Sequence, residues 1–185
     1  MKKNKLIEIS FFLILFAVSS ILLQSTEKRK FTVEDAMKFP SLKGTKLSDN
    51  GSWLAYYLEP DRGDPKGFVQ ITAPDSVKYS VERGINPEFT NDANWVSFLI
   101  KPKAIEFDNA EKDKPKNGAA IISTKTGEIF KFENVKSYAF SEDSKWFVYK
   151  HFEEEAKSNS NKKKALWLID MRKDLSDHNL CQLRF

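Results

Sequence analysis

Few side chains in this sequence stand at spacings that would do chemistry. A serine hydrolase of the α/β type exposes its nucleophile on a strained G-x-S-x-G turn. Of the seven glycines, only Gly63 and Gly67 are four apart, and Pro65 holds the nucleophile position between them. The two histidines, His151 and His178, have no serine or carboxylate at a diagnostic spacing. Triads assemble in space, so spacing alone does not exclude one; both histidines are read as surface or packing residues. Oxygen donors cluster at Glu153-Glu154-Glu155 and at Asp108, Glu111 and Asp113. Neither group has the central glycine of a calcium loop, and both read as solvated loops.

Three further signals have bland readings. Arg62-Gly63-Asp64 spells an adhesion tripeptide but falls in a predicted hairpin loop. Lys162-Lys163-Lys164 lies across a Ser/Asn-rich stretch from the three glutamates, as a solvated loop would. Cys181 is the single cysteine, so no disulfide forms within the chain. The sequence therefore assigns no catalytic, cofactor-binding or metal-binding residue, and no cofactor is expected.

What organises the chain is a repeat. Leu47-Ser-Asp-Asn-Gly-Ser-Trp53, Phe89-Thr-Asn-Asp-Ala-Asn-Trp95 and Phe140-Ser-Glu-Asp-Ser-Lys-Trp146 share one order: apolar residue, hydroxyl residue, polar turn, tryptophan. The turn residues bond their own main chain or accept left-handed backbone. The apolar, aromatic-rich run after each tryptophan predicts a strand packed on both faces. The four tryptophans are expected to be core anchors, each ring removing ~150–250 Å² from water. The three repeat tryptophans stand 42 and 51 residues apart. The difference falls in one loop, Lys101–Gly118 against Glu59–Lys66, as stacked units permit.

Between these marks the chain reads as strand after strand. A short helix starts at Thr32-Val-Glu-Asp35 and stops before Pro40. The first unit holds Trp53–Leu58, Gly67–Thr72, Val77–Val81 and a short segment ending at Phe89-Thr90. The second holds Trp95–Ile100, Ala119–Ser123, Glu128–Phe132 and Val135–Ser141. The third has Trp146–Phe152 and Ala165–Asp170 and then runs out. Four antiparallel strands per ~40–50 residues make a β-propeller blade, and rings typically have 4–8 of them. The expected fold is all-β: an incomplete β-propeller domain over 31–185 with about two and a half blades. The blades are placed at about 47–90, 91–141 and, incomplete, 142–185.

The N-terminus is separate. Lys2, Lys3 and Lys5 precede an apolar stretch from Ile9 to Leu23. A basic head and a short apolar core describe a secretory signal, whereas a spanning helix wants about 20 residues. Residues 1–25 are read as a signal peptide or a retained signal-anchor helix, and the chain as exported: periplasmic or secreted, or held at the inner membrane through residues 6–23. With Lys2, Lys3, Lys5 and Glu8 set aside, the formal charge of +4 falls to +2. That is a solubility statement and makes no case for nucleic acid.

The repeated turn resembles the TolB-type propeller repeat. More narrowly, Phe31-Thr-Val-Glu-Asp, Leu47 through Tyr56 and Glu59-Pro-Asp-Arg-Gly-Asp64 resemble the start of exported serine peptidases of the prolyl oligopeptidase family. Lys112–Asn117, Gly127-Glu-Ile129 and Asn134-Val-Lys-Ser137 fit the same template. None of the three turns has the proline common after the hydroxyl residue, and two lack the glycine. The resemblance implies an N-terminal propeller that filters and positions peptide substrates for a C-terminal α/β-hydrolase domain bearing the Ser-Asp-His triad. It makes this chain a non-catalytic propeller fragment, with peptides as partners when it is joined to such a domain. The alternatives are an exported propeller that binds a protein partner at open blade edges, and a non-functional remnant.

Overall fold

The computed structural model describes residues 29–72, 78–152, 165–172 and 181–184. The expectations for the leader, Glu153–Glu155, Lys162–Lys164 and His178 lie outside the described residues. Residues Glu34–Phe185 make one compact unit, separate from Met1–Val33. No helix among the described residues is long and apolar enough to cross a membrane.

A short helix, α1 (Val33–Met37), stops before Pro40 as expected. Twelve strands follow among the described residues. Sheet 1 is β1 (Pro40–Leu47), β2 (Trp53–Pro60), β3 (Lys66–Ile71) and β4 (Lys78–Glu82). Sheet 2 is β5 (Gly84–Phe89), β6 (Trp95–Ile100), β7 (Gly118–Ser123) and β8 (Ile129–Phe132). Sheet 3 is β9 (Val135–Phe140), β10 (Trp146–His151), β11 (Ala165–Asp170) and β12 (Cys181–Arg184). A second helix, α2 (Ala104–Asn109), interrupts the β6–β7 loop. Each sheet is an antiparallel meander in chain order, as propeller blades require.

Two expectations about grouping are corrected. The segment ending at Phe89 opens the second sheet and does not close the first: Phe89 pairs with Val96 and Glu88 with Ser97. The tight turn before each tryptophan joins the strands on either side into one hairpin, so the preceding strand belongs with it. By the same rule β1, whose residues are all exposed and show no burial alternation, heads sheet 1. The sheets thus run 40–82, 84–132 and 135–184. The third also has four strands, so two and a half blades become three four-stranded sheets.

The core lies between the sheets. Side chains alternate across a strand, and sheet 2 uses both faces. Ala120, Ile122, Val96, Phe98 and Ile100 meet Ala55, Val69 and Val81 of sheet 1. Ala119 and Ile121 meet Val135, Phe147, Tyr149, Ile169 and Met171 of sheet 3. Phe98 is fully buried, and two glycines make room for it. A Cβ on Gly67 would stand 2.6 Å from Phe98 Cε1, and one on Gly84 3.2 Å from its Cδ1. At the second boundary Phe132, Phe140 and Tyr138 surround Phe147, with centroids 5.5, 5.2 and 5.7 Å away. Burial pushes the Tyr138 phenol up to about 12; the charge of Glu88 adds to this and a bond with the Ser97 hydroxyl opposes it.

The tryptophans are corrected too. All four are half-buried: Trp53, Trp95 and Trp167 flank the cores, and the Arg172 guanidinium lies over the Trp146 ring. Trp53 stacks on Tyr79, and Trp167 on Tyr149. Among the described residues, strands buried on both faces are likewise found in sheet 2, where β6 has four buried residues; β2 has one.

The repeated turn is one device built three times. The amides of Trp53, Trp95 and Trp146 donate to Ser48 Oγ, Thr90 Oγ1 and Ser141 Oγ at 3.0, 3.1 and 3.0 Å. Those hydroxyls donate to Asn50, Asp92 and Asp143 at 2.8, 2.6 and 2.6 Å. The same side-chain oxygens accept the amides of Ser52, Asn94 and Lys145. Gly51, Ala93 and Ser144 all take left-handed backbone, with φ of 69°, 57° and 58°. The turn fixes that conformation even where glycine is missing. Thr72, Thr124 and Met171 then donate backbone N–H groups to Ser52, Asn94 and Lys145, tying each turn to the third strand of its own sheet.

Phe98→Ala is expected to lower stability by about 3–5 kcal/mol, the range for emptying a buried phenylalanine site. A denaturant midpoint barely shifted from the parent's would contradict the packing described. The turns predict an acid dependence. At Asp92 partial burial raises the pKa, but bonds from Thr90 and Asn94 outweigh it and the carboxyl titrates below its usual value. At Asp143 the bond from Ser141, then the Lys145 amide, hold the carboxyl at about 2. Stability from these charges is complete above the ordinary aspartate value of about 4 and is lost as pH falls through the folded values. Asn50 shows that an amide oxygen serves the same geometry. Asp92→Asn with Asp143→Asn should therefore fold at neutral pH and show a flatter acid limb in pH-dependent melting. An acid limb as steep as the parent's would refute the assignment.

Candidate functional site

The opposite end of the sheets from the tryptophan turns carries the β2–β3 loop, the one-residue link Arg83, the long β6–β7 loop with α2, and the link Glu133-Asn134. Both links turn through left-handed residues, Arg83 at φ 62° and Asn134 at φ 55°. Turned this way, the Arg83 carbonyl accepts the Lys101 amide and the Asn134 carbonyl accepts the Phe152 amide, each at 2.9 Å. The Arg83 amide donates to Pro65 O at 2.8 Å, and its guanidinium to Lys101 O at 3.2 Å. The links thus tie each sheet's end to the next sheet's loop.

Two clefts open between these loops. One, of about 390 Å³, lies between the β2–β3 and β6–β7 loops and is lined by Glu59, Asp64, Lys101, Phe107 and Asp108 among others. The second, of about 340 Å³, is lined by Arg83, Lys101, Glu106, Lys116, Lys131 and Glu133 among others. The charged side chains of the first are three carboxylates and one ammonium. Those of the second are four cations and two carboxylates. Lys101 and Pro102 belong to both, so an acidic and a basic cleft share a wall.

Glu59 anchors that wall. Its carboxylate lies 2.6 Å from Lys101 Nζ and 3.5 Å from Lys43 Nζ, with the side chain 20% exposed. The Lys101 bond, set against desolvation, holds its carboxyl below the usual glutamate value. A carboxylate kept ionised this way is a weak general base. Among the described lining residues there is no serine, cysteine or histidine. These charged and amide groups are suited to binding.

Asp64 does structural work here. Its Oδ1 accepts the Ala104 amide at 2.7 Å and so caps α2, whose own N-cap residue Lys103 makes no side-chain capping bond. The Arg62 amide donates to Met37 O at 3.0 Å. The Arg-Gly-Asp stretch is therefore pinned at both ends. Asp108 reaches the acidic cleft. Among the described residues no three His, Cys, Asp or Glu side chains are grouped to hold a metal ion. His151 Nδ1 lies 3.2 Å from Asn134 O, and its ring sits edge-on to Tyr149 and Trp167. Cys181 falls in β12.

Sequence reasoning missed α2 and the Glu59–Lys101 pair. The available signal for the helix was Ala-Ile-Glu-Phe after Pro102, with Glu106 in its first turn. Its cap comes from a residue 40 positions away, and the ion pair joins residues 42 apart.

No protein-family model matches the chain, and no curated protein matches it in sequence. Solved structures do. The Pyrococcus horikoshii acylaminoacyl peptidase (orthorhombic crystal form) is similar with a TM-score of 0.50 at 14% identity, over 81% of this chain and 26% of that one. Prolyl oligopeptidase B from Galerina marginata gives 0.47 at 15%, over 76% and 22%. TolB from Acinetobacter baumannii gives 0.42 at 14%, over 78% and 32%. The chain thus spans about a quarter of the acylaminoacyl peptidase it matches. At such identity the first similarity speaks for the fold alone, and it agrees with the β-propeller reading of the three sheets.

Asp64→Ala should leave the sheets intact and uncap α2. Losing an N-cap costs about 1 kcal/mol, so amide exchange through Ala104–Phe107 should quicken by about fivefold. Exchange at the parent's rate would show that the cap does not hold the helix.

Proposed function

We propose that this chain supplies non-catalytic propeller blades that sort and position peptides for a serine-peptidase domain of the α/β-hydrolase type. The observation that carries this reading is the paired cleft on the loop face. A peptide bears amine and carboxylate groups along one chain, and an acidic cleft adjoining a basic one is complementary to both. The propeller fold, similar to that of the Pyrococcus horikoshii acylaminoacyl peptidase, supports the same assignment. Within these 185 residues no G-x-S-x-G occurs, so chemistry would come from another domain. The basic head and apolar run at the N-terminus support export to the periplasm or the medium, with membrane contact through residues 6–23 if the leader is retained.

The reading has two arms to test. The purified chain should take no label from a serine-directed phosphonate and hydrolyse no peptide amide; labelling would overturn the non-catalytic assignment. Fluorescent peptides carrying both charges should bind, and Glu59→Gln combined with Lys101→Met should weaken binding by about tenfold, the equivalent of ~1.4 kcal/mol. Equal affinity in parent and variant would remove the cleft from the function.

A further inference from the structure

Two Asn-Gly steps occur in the chain, Asn50-Gly51 and Asn117-Gly118. Glycine has no side chain to shield its amide nitrogen from the carboxamide before it. That nitrogen can close a cyclic imide on the asparagine, so the way the fold holds each step decides whether it reacts. The two are held differently. Asn117 is partly buried, and its carbonyl accepts the Val135 amide of sheet 3 at 2.9 Å. Gly118 begins β7 opposite Ile100, and a Cβ there would stand 2.5 Å from Phe132 O. The main chain is thus fixed on both sides of that peptide bond. Asn50 lies in an exposed turn, and a Cβ on Gly51 would meet nothing within 4 Å. Water and base reach this turn. The Gly51 amide is held by its bond to Ser48 O at 2.8 Å, and an exposed turn bond opens locally at little cost.

The turn also prepares the carbon to be attacked. Asn50 Oδ1 accepts the Ser48 hydroxyl at 2.8 Å and the Ser52 amide at 3.0 Å. Two donors on that oxygen draw electrons from Cγ. They are already in place for the negative charge that attack puts on Oδ1. The matching position in sheets 2 and 3 holds Asp92 and Asp143, whose carboxylates accept the equivalent two bonds. The deamidated form of the first turn is therefore a turn this fold builds twice already.

We propose that Asn50 is a site of spontaneous deamidation and that the turn around it accepts the aspartate product. The Gly51 nitrogen passes its proton to a solvent base and bonds to Asn50 Cγ. The Cγ–Nδ2 bond breaks, and Nδ2 leaves as ammonia with a proton from water. Water then adds to the cyclic imide. Opening at Cγ gives aspartate with the main chain restored, whereas opening at the main-chain carbonyl gives isoaspartate. Water enters, ammonia leaves, and nothing is oxidised or reduced. Isoaspartate runs the main chain through Cβ, and the lengthened turn would part the Ser48 amide from Trp53 O, now 2.9 Å away. Aspartate is the form that keeps the β1–β2 hairpin. The inference concerns the turn alone and is independent of the peptide reading of the loop face.

The test is incubation of the full chain in mildly alkaline buffer, followed by peptide mapping that separates the asparagine, aspartate and isoaspartate forms. Asn50 is expected to convert at least about tenfold faster than Asn117, a barrier difference of ~1.4 kcal/mol. In urea the two steps should convert at similar rates, because the fold no longer holds either. Equal rates in the folded chain overturn the proposal. So does the same preference in urea, which would trace it to local sequence. Gly51→Ala should fold, since Ala93 takes the same left-handed backbone at the matching position, and should lose most of the conversion at Asn50. Undiminished conversion in that variant would refute attack by this nitrogen. Asn50→Asp, the product made directly, should melt within about 2 °C of the parent at neutral pH. A larger loss would show that the turn does not accept the product.

Discussion

Sheet 2 has no free surface along its middle strand. Ala120 and Ile122 lie under sheet 1, and Ala119 and Ile121 under sheet 3, all four fully buried. Everything else in the unit follows from this two-sided burial. Small residues on β7 let the neighbours approach, and large rings fill the space: Phe98 of sheet 2 itself on one side, Phe147 of sheet 3 on the other. Interiors are packed to crystal-like density, so a ring the size of Phe98 demands the missing side chains of Gly67 and Gly84. The sheets are held to one another mainly by non-directional apolar contact, which is why the pattern can repeat from sheet to sheet.

Directional bonds do a different job. They set where each strand begins and how one sheet hands over to the next. At one end, the hydroxyl of the repeated turn holds the tryptophan amide and the neighbouring Asp or Asn oxygen together. The turns of sheets 2 and 3 are further joined by two bonds: the Asp92 amide donates to Ser144 Oγ, and the Asn91 side chain donates to Glu142 O. The residue matching Ser144 in sheet 2 is Ala93, which has no side-chain oxygen to offer. At the other end, the left-handed residues Arg83 and Asn134 turn their carbonyls back to the following loop.

The loop face derives from those hand-overs. Because each link is one or two residues long, loops from successive sheets are brought together, and residues distant in sequence share a wall. Glu59, Lys101 and Lys43 meet there, as do Asp64 and the start of α2. Exposed ion pairs contribute little to stability, roughly 0–1 kcal/mol. Their larger consequence is to fix which charge faces which cleft.

By itself the sequence determined the strand content, the three-fold repeat, the turn chemistry and the short helix before Pro40. Each is a local property: a side chain bonds its own turn, and strand propensity and alternation act within a few residues. Even the missing glycines of two turns were legible as departures, although not their left-handed geometry. Tertiary structure alone decided which strand opens each sheet, since β1 has no alternation to announce it and pairs only because β2 is there. It alone decided that the tryptophans flank the cores while Phe98 and Phe147 fill them, because burial depends on what the next sheet brings. It also set the paired clefts, because their shared wall is built from residues dozens of positions apart whose meeting no local pattern encodes.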